Sequence, residues 1–388
     1  MNKPTHIIII AGEPSADTYG ALLSDELKRL QPEIIISGIG SNKMRKAGVE
    51  IFADLSQYAV IGFIEALKHI HIFKKIFALC LKKIDLLKPQ AIILIDFPGF
   101  NLRLAKKIKQ IFPAVKIIYY VSPQVWAWGK HRLKLIQKVV DKMIVLFKFE
   151  AEFYKKNNIP AEFAGHPLTK IVKRAEDKKK LYTNMEITKK DNIIALLPGS
   201  RRGEIKRIFP LMLKSAVLIA KQMPETKFIL LKSTNITEQT VQKIIKPYLF
   251  LKIKIIDRNI YDYLSVCTYA WVCSGTATLE TAILEIPMLI VYKTSCVTWF
   301  LSKMLIKLPF IGIVNIVAGE KIFPEFIQFQ ATPKNIANCS INFLNTSYMR
   351  QNKFKQKLKC LRQELGTQDA AKKAALIIHK IITKTAKK

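Results

Sequence analysis

Acidic residues are scarce in this chain: 29 Asp and Glu face 63 Lys and Arg among 388 residues, a formal charge of +34 at pH 7. A surplus of that size meets something anionic or repels itself. Arginine is scarce too, supplying 11 of the 63 cations, although bidentate recognition of phosphates and guanines favours it. The excess therefore suits diffuse attraction to an anionic surface better than the reading of a nucleic acid, and a general Lys/Ile bias accounts for it equally well. Apolar runs of 18 residues are missing, so no membrane-spanning helix is expected. The first apolar run, Ile7 to Ile10, is too short for a signal peptide, which suggests a cytosolic chain. Six cysteines at 80, 267, 273, 296, 339 and 360 show no close pairing, which argues against the disulfide framework of small secreted domains. GxGxxG, GxxxxGK[ST] and DxD are all absent, and no His/Cys/Asp cluster has ligand spacing. Neither a dinucleotide, a P-loop nucleotide nor a resident metal is expected.

What is present is half apolar, ample for the cores of two domains at about 100 to 200 residues each. Short β-branched runs ending in Gly, Asp or Pro alternate with amphipathic stretches, the pattern of βαβ units and a parallel sheet. Strands are predicted at 6–11, 33–38, 91–96, 116–121 and 142–147, and again at 192–197, 227–232, 251–256, 269–273 and 288–292, with a helix over Tyr19 to Leu30. The expected division is 1–173, a charged linker or exposed excursion over 174–191, a second domain over 192–366, and a lysine-rich helix over 367–388. In that helix Ala374, Ile377, Ile378 and Ile381 share a side, which favours packing.

Ligands of open parallel sheets bind at the carboxyl ends of strands. Four strand ends carry unusual residues. After the first strand, Gly12 permits a tight turn and Ser15 or Asp17 can cap helix amides, although an ordinary βα turn reads the same way. Asp96 ends a strand that is otherwise buried, where desolvation raises a carboxyl pKa and suits it to accept a proton; the plain alternative is a cap for the helix after Pro98. Trp126 and Trp128 beside Lys130, His131 and Arg132 offer an apolar wall with a cationic rim, or simply core residues. In the second half, Gly199, Ser200 and Arg201 present amides, a hydroxyl and a guanidinium to a diphosphate. Ser274, Gly275 and Thr276 form a similar loop, and Glu280, on the helix that follows, suits a ribose diol. A capping box from Thr276 to Glu280 fails by one residue.

These stretches, with V-I-G-F-I-E at 60–65, G-H-P at 165–167 and N-I-V-A-G-E at 315–320, occur in the order of the lipid-A-disaccharide synthase family, which the chain resembles from about Ile7 to Gln328. Two positions depart from the family pattern: Ala16 replaces a usual Gly, and Gly99 an Asp common among members. The resemblance implies a GT-B α/β fold, two doubly wound Rossmann-like domains with the site in the cleft between them. It implies an inverting, metal-independent transfer of 2,3-diacylglucosamine from its UDP form to 2,3-diacylglucosamine 1-phosphate, making a β-1,6 disaccharide. Asp96 is then the base. Ser200, Arg201, Ser274, Gly275, Thr276, Glu280 and Asn315 hold UDP, and Glu13, Ser15 and Asp17 lie near the acceptor. No further cofactor is implied. Another UDP-sugar enzyme, such as a peptidoglycan N-acetylglucosaminyltransferase or a UDP-N-acetylglucosamine epimerase, is the alternative within the fold; a basic nucleic-acid-binding protein is the alternative outside it.

Ile64, Leu67, Ile70 and Phe73 recur every three residues beside lysines, as in a core-facing helix or an interfacial one. Val297 to Lys307 has a similar mix. Acylated substrates favour a contact with the anionic inner face of the cytoplasmic membrane, without nucleic acid, and a homodimer is compatible with the sequence.

Overall fold

The computed structural model describes residues 4–55, 70–188, 191–296, 299–300, 308–346, 348–366 and 368–386. Ile64, Leu67, the stretch 60–65, most of 297–307 and the Trp128 side chain lie outside the described part. The chain divides into two compact units, Met1–Pro167 with Leu365–Lys388, and Leu168–Glu364.

The first unit is built on a parallel sheet of seven strands: β1 (His6–Ala11), β2 (Ile35–Ile39), β3 (Glu50–Ala53), β4 (Ala91–Ile95), β5 (Lys116–Tyr120), β6 (Lys142–Val145) and β7 (Ala161–Phe163). Their order is β3-β2-β1-β4-β5-β6-β7. Ile7 to Ile10 and Ala91 to Ile95 are fully buried, as expected for parallel strands covered by helices on both faces. The helices that matter here are α1 (Pro14–Leu30), α2 (Asn42–Lys46), α3 (Ile70–Leu87) and α4 (Pro98–Ile111). Pro14 opens α1 where its missing N–H costs nothing.

The second unit repeats the plan with β8 (Ile193–Leu197), β9 (Lys227–Leu231), β10 (Lys254–Ile256), β11 (Tyr269–Cys273), β12 (Met288–Tyr292) and β13 (Glu325–Ile327), in the order β10-β9-β8-β11-β12-β13. With its helices α5 (Lys178–Met185), α6 (Arg202–Gln222) and α7 (Thr276–Ile283) it forms a second doubly wound sandwich. In both sheets the first strand lies between the second and the fourth, so the chain reverses its direction of winding between β1 and β4 and between β8 and β11. Those two points are where such sheets bind ligands.

Every expected strand is present within about three residues of its predicted ends. β3, β7 and β13 were not expected: each is an edge strand of three or four residues, too short for a periodicity to register. The domain division needs correction. Residues 174–191 are no free linker, because α5 buries Leu181 and Met185, Ile187 is buried after it, and Arg174 pairs with Glu285 at 2.8 Å inside the second unit. The final helix, α8 (Ala370–Ala386), returns to the first unit and packs along α1. It buries Ala374 and Ile378 together with Ala370, Ala371, Ala375 and Ile382, whereas Ile377 and Ile381 are half-buried.

Candidate active site

At the switch point of the first sheet, the loops after β1 and β4 touch. A Cβ on Gly12 would lie 2.5 Å from the Phe97 ring, so Gly12 is required for a close approach, not for a turn. Asp96 and Phe97 both take left-handed backbone angles, φ 47° and 48°, a strained pair of the kind found at functional positions. The strain is held by Tyr119 and Asn101, whose hydroxyl and amide donate to the Asp96 carbonyl at 2.6 and 2.8 Å. Phe97, not Asp96, is the residue that precedes α4 as its cap, and it makes no side-chain cap. The Asp96 carboxyl is therefore left for other work. Burial raises its pKa to about 7, and the like charge of Glu13 pushes in the same direction, while the Phe97 amide pulls it partly back.

Not every residue expected beside it faces a ligand. Asp17 is 4% exposed, and its carboxylate accepts the amides of Ser41, Lys43 and Met44 at 2.6, 3.0 and 3.3 Å. It caps α2, and those three bonds account for its place in the motif. Ser15 is exposed in the first turn of α1, and Glu13 is half-buried. Ala16 is fully buried. Gly99 is exposed with nothing within 4 Å of a Cβ, so the Asp common in the family meets no obstacle there.

Glu150 escaped the sequence reading. Its buried carboxyl accepts Trp126 Nε1 at 3.0 Å and the amides of Leu146 and Phe147 at 3.2 and 3.3 Å, and burial raises its pKa to about 7. Trp126 thereby becomes a half-exposed ring pinned to the end of β6, edge-on to Phe149 at 5.0 Å. Lys130 and His131 are exposed beside it.

At the second switch point, the loops after β8, β9, β10 and β11 line a cavity of about 450 Å³. Gly199, Ser200, Arg201, Ser274, Gly275, Thr276 and Glu280 all line it, so the two loops singled out in the sequence meet at one cavity. Glu280 accepts the Tyr261 hydroxyl; burial raises its pKa to about 7, against the pull of that hydrogen bond. Lys232, Asp257 and Tyr261 were missed. Lys232 is buried on the cavity wall and lies 3.6 Å from Asp257. The Ser274 hydroxyl donates to the Ile311 carbonyl at 3.2 Å, so it braces the loop.

Asn315 has a different task from the one expected. It is fully buried, donates to Phe323 O and Glu325 Oε1 at 2.9 and 2.8 Å, and accepts from Phe323 N at 2.9 Å. Glu325 also accepts the amides of Ile311 and Gly312, each at 2.9 Å. Together they set the Ile311 carbonyl that Ser274 uses. No local spacing signals this clamp, because Glu325 lies 10 residues from Asn315 and 14 from Ile311 in the chain.

On α3 the two described residues of the apolar row differ. Ile70 is 49% exposed, whereas the Phe73 ring packs on Phe97 and Phe100 with centroids 6.2 and 6.4 Å apart. The 18-residue helix buries Cys80 and Ile84 and packs Phe73, Ile76, Phe77, Leu81 and Leu87 against the core, leaving Ile72 and Leu79 partly exposed and Leu86 71% exposed. Among the described residues, no helix is long and apolar enough to cross a membrane, and no group of three His, Cys, Asp or Glu side chains is placed to hold a metal ion.

Solved structures with this architecture include a putative UDP-N-acetylglucosamine 2-epimerase from Listeria monocytogenes (TM-score 0.65, 12% identity, 99% of this chain and 97% of that one). A glycosyltransferase from Rickettsia africae has a TM-score of 0.59 at 11% identity, covering 99% of each chain. At that identity they establish the shared GT-B fold. The sequence relatives are much nearer: lipid-A-disaccharide synthases of Coxiella burnetii and Geobacter metallireducens are each 38% identical over 97% of this chain and 98% and 97% of their own. The family model described as lipid-A-disaccharide synthetase matches residues 7–382, through both switch points and into α8, and the chain belongs to that family.

Proposed function

We propose that the protein transfers 2,3-diacylglucosamine from UDP-2,3-diacylglucosamine to 2,3-diacylglucosamine 1-phosphate, forming the β-1,6 lipid A disaccharide 1-phosphate and UDP. The observation that carries the mechanism is the Asp96 carboxyl, placed at a switch point with its pKa near 7. A base that is half ionised near neutrality both accepts a proton and releases it. Asp96 takes the proton of the acceptor 6-hydroxyl as its oxygen attacks the anomeric carbon. The bond to the UDP oxygen breaks on the opposite face, so one displacement inverts the centre.

The second switch point supplies the donor site. Glu280 receives the ribose diol, and the guanidinium of Arg201 with the first amides of α7 takes up the diphosphate charge as it grows. These groups stabilise the departing UDP without a resident metal. Glu13, half-buried and coupled to Asp96 through charge, lies at the acceptor end with Ser15.

The acyl chains require a source in a bilayer. The apolar residues that α3 leaves toward solvent, Ile70, Ile72, Leu79 and Leu86, together with exposed Lys74, Lys75 and Lys82, suit peripheral attachment to an anionic membrane, at the inner face where UDP-sugars are used. Neither nucleic acid nor a second subunit is needed by this scheme. The deciding experiment mixes purified protein with both acylated substrates and follows the disaccharide 1-phosphate by mass spectrometry. Its absence, with UDP-N-acetylglucosamine turned over instead, overturns the reading in favour of the epimerase class.

A further inference from the structure

Glu204 stands in the first turn of α6, and its carboxylate turns back into the loop before the helix. Oε2 accepts the amides of Ser200 and Arg201 at 3.1 and 3.2 Å, and Oε1 lies 3.2 Å from the Arg201 guanidinium. Gly199 makes the room, at φ +109°: a Cβ there would lie 2.5 Å from Glu204 Oε2. An internal carboxylate thus occupies two amides of the loop that leads into the helix, at the N-cap and just before it. The facing loop is different. At Gly275 a Cβ would meet nothing within 4 Å, so the start of α7 is open to the cavity. The Glu204 side chain is 15% exposed and that of Arg201 67%, so the carboxylate is the fixed partner and the guanidinium the movable one.

We infer that Glu204 is a positioning residue for the diphosphate: it fixes the Gly199–Arg201 loop through two amides and holds the Arg201 guanidinium at the cavity. The phosphates are then received by that guanidinium and the open start of α7, not by the amides of Ser200 and Arg201. On binding, the guanidinium passes from the Glu204 carboxylate to a more highly charged partner while the loop stays in place. The inference rests on the assignment of this cavity to UDP, and it narrows which groups recognise the diphosphate.

The test compares UDP with uridine, which lacks the phosphates, by titration calorimetry and ligand-observed NMR on the wild type, Glu204→Ala, Glu204→Gln, Arg201→Ala and the double alanine variant. Glu204→Ala is expected to weaken UDP about tenfold, the effect of one well-placed charge-assisted bond, and to leave uridine unchanged. Glu204→Gln recovers most of the loss because its amide oxygen accepts the same backbone pair. The double variant binds UDP no more weakly than Arg201→Ala, since Glu204 acts through that residue. Equal losses for UDP and uridine mean general collapse of the site and overturn the inference. Tighter UDP binding by either Glu204 variant also overturns it, because the carboxylate is then a rival of the phosphates. A wild type that binds no UDP removes the donor assignment itself, a failure seen before any variant is compared.

Discussion

Asp96, with its pKa near 7, makes the rate depend on pH in a definite sense. The base works when deprotonated, so kcat/KM is expected to rise with a one-proton slope up to about pH 7 and level off above it. Asp96→Asn should remove that limb and lower kcat by about 10² to 10⁴, with UDP affinity kept within a few-fold because the donor cavity lies in the other unit. Glu280 titrates in the same range, which is why Glu280→Gln is the necessary companion. It should weaken UDP and retain the pH limb; a limb lost in Glu280→Gln and kept in Asp96→Asn moves the base elsewhere. Arg201→Ala should weaken UDP and slow turnover together, by roughly 1.5 to 3 kcal/mol for a charge-assisted partner, while EDTA changes little. Asp96, Arg201 and Glu280 could be singled out because each sits at a strand end or on the first turns after one. Glu150 and Glu325 were not, since Trp126 is 24 residues from the first and Ile311 is 14 from the second. Asp17 and Asn315 mislead for a related reason: motif residues that shape a loop look, in sequence, like those that touch a ligand.

At the scale of elements, strands were legible where a β-branched run stands out, edge strand β10 included, and illegible in the three short edge strands β3, β7 and β13. The helix α3 shows what spacing leaves undecided. A three-residue recurrence does not say which of its members is covered, and the Phe73 ring turns out to pack on Phe97, beside Asp96, while Ile70 faces outward. Two single variants therefore separate roles that the row Ile64, Leu67, Ile70 and Phe73 blurs. Ile70→Ser should reduce co-sedimentation with anionic vesicles and leave the melting temperature unchanged. Phe73→Ser should lower the melting temperature, by up to about 3 kcal/mol of stability for a partly buried ring. If Ile70→Ser changes neither quantity, the helix does not attach the protein to membranes.

For the whole molecule, three carboxyls, Asp96, Glu150 and Glu280, are raised to about 7 mainly by burial. The folded state keeps protons that the unfolded chain has already released. Their contribution to stability is full below the unfolded carboxyl range near pH 4, declines as pH rises, and is gone above about 7. The difference in melting temperature between wild type and Asp96→Asn should therefore change between pH 4 and 7 and be flat beyond; a constant difference places the Asp96 pKa at its ordinary value. The net charge of +34 decided nothing about the fold, whereas the alternation of strands and helices established two doubly wound units. The unit boundaries differ from those expected because the chain leaves the first unit at Pro167, not 173, and the helix α8, expected to pack, does so as part of that same unit.

That return of the chain has a consequence for synthesis. The backbone of His166 bonds to Leu365 at 2.8 Å, and a Cβ on Gly366 would lie 3.0 Å from the Gly165 backbone, so the two crossings run side by side. The second unit is a continuous insert within a discontinuous host. Deleting 368–388 should accordingly lower the melting transition of the first unit and spare that of the second. On the ribosome the seven strands of the host emerge first but cover one side of α1 only when α8 arrives, some 200 residues later. At about 5 to 20 residues per second the wait is roughly 10 to 40 s. The unit that begins the chain is thus the last to close, and during that interval the apolar side of α1 waits uncovered.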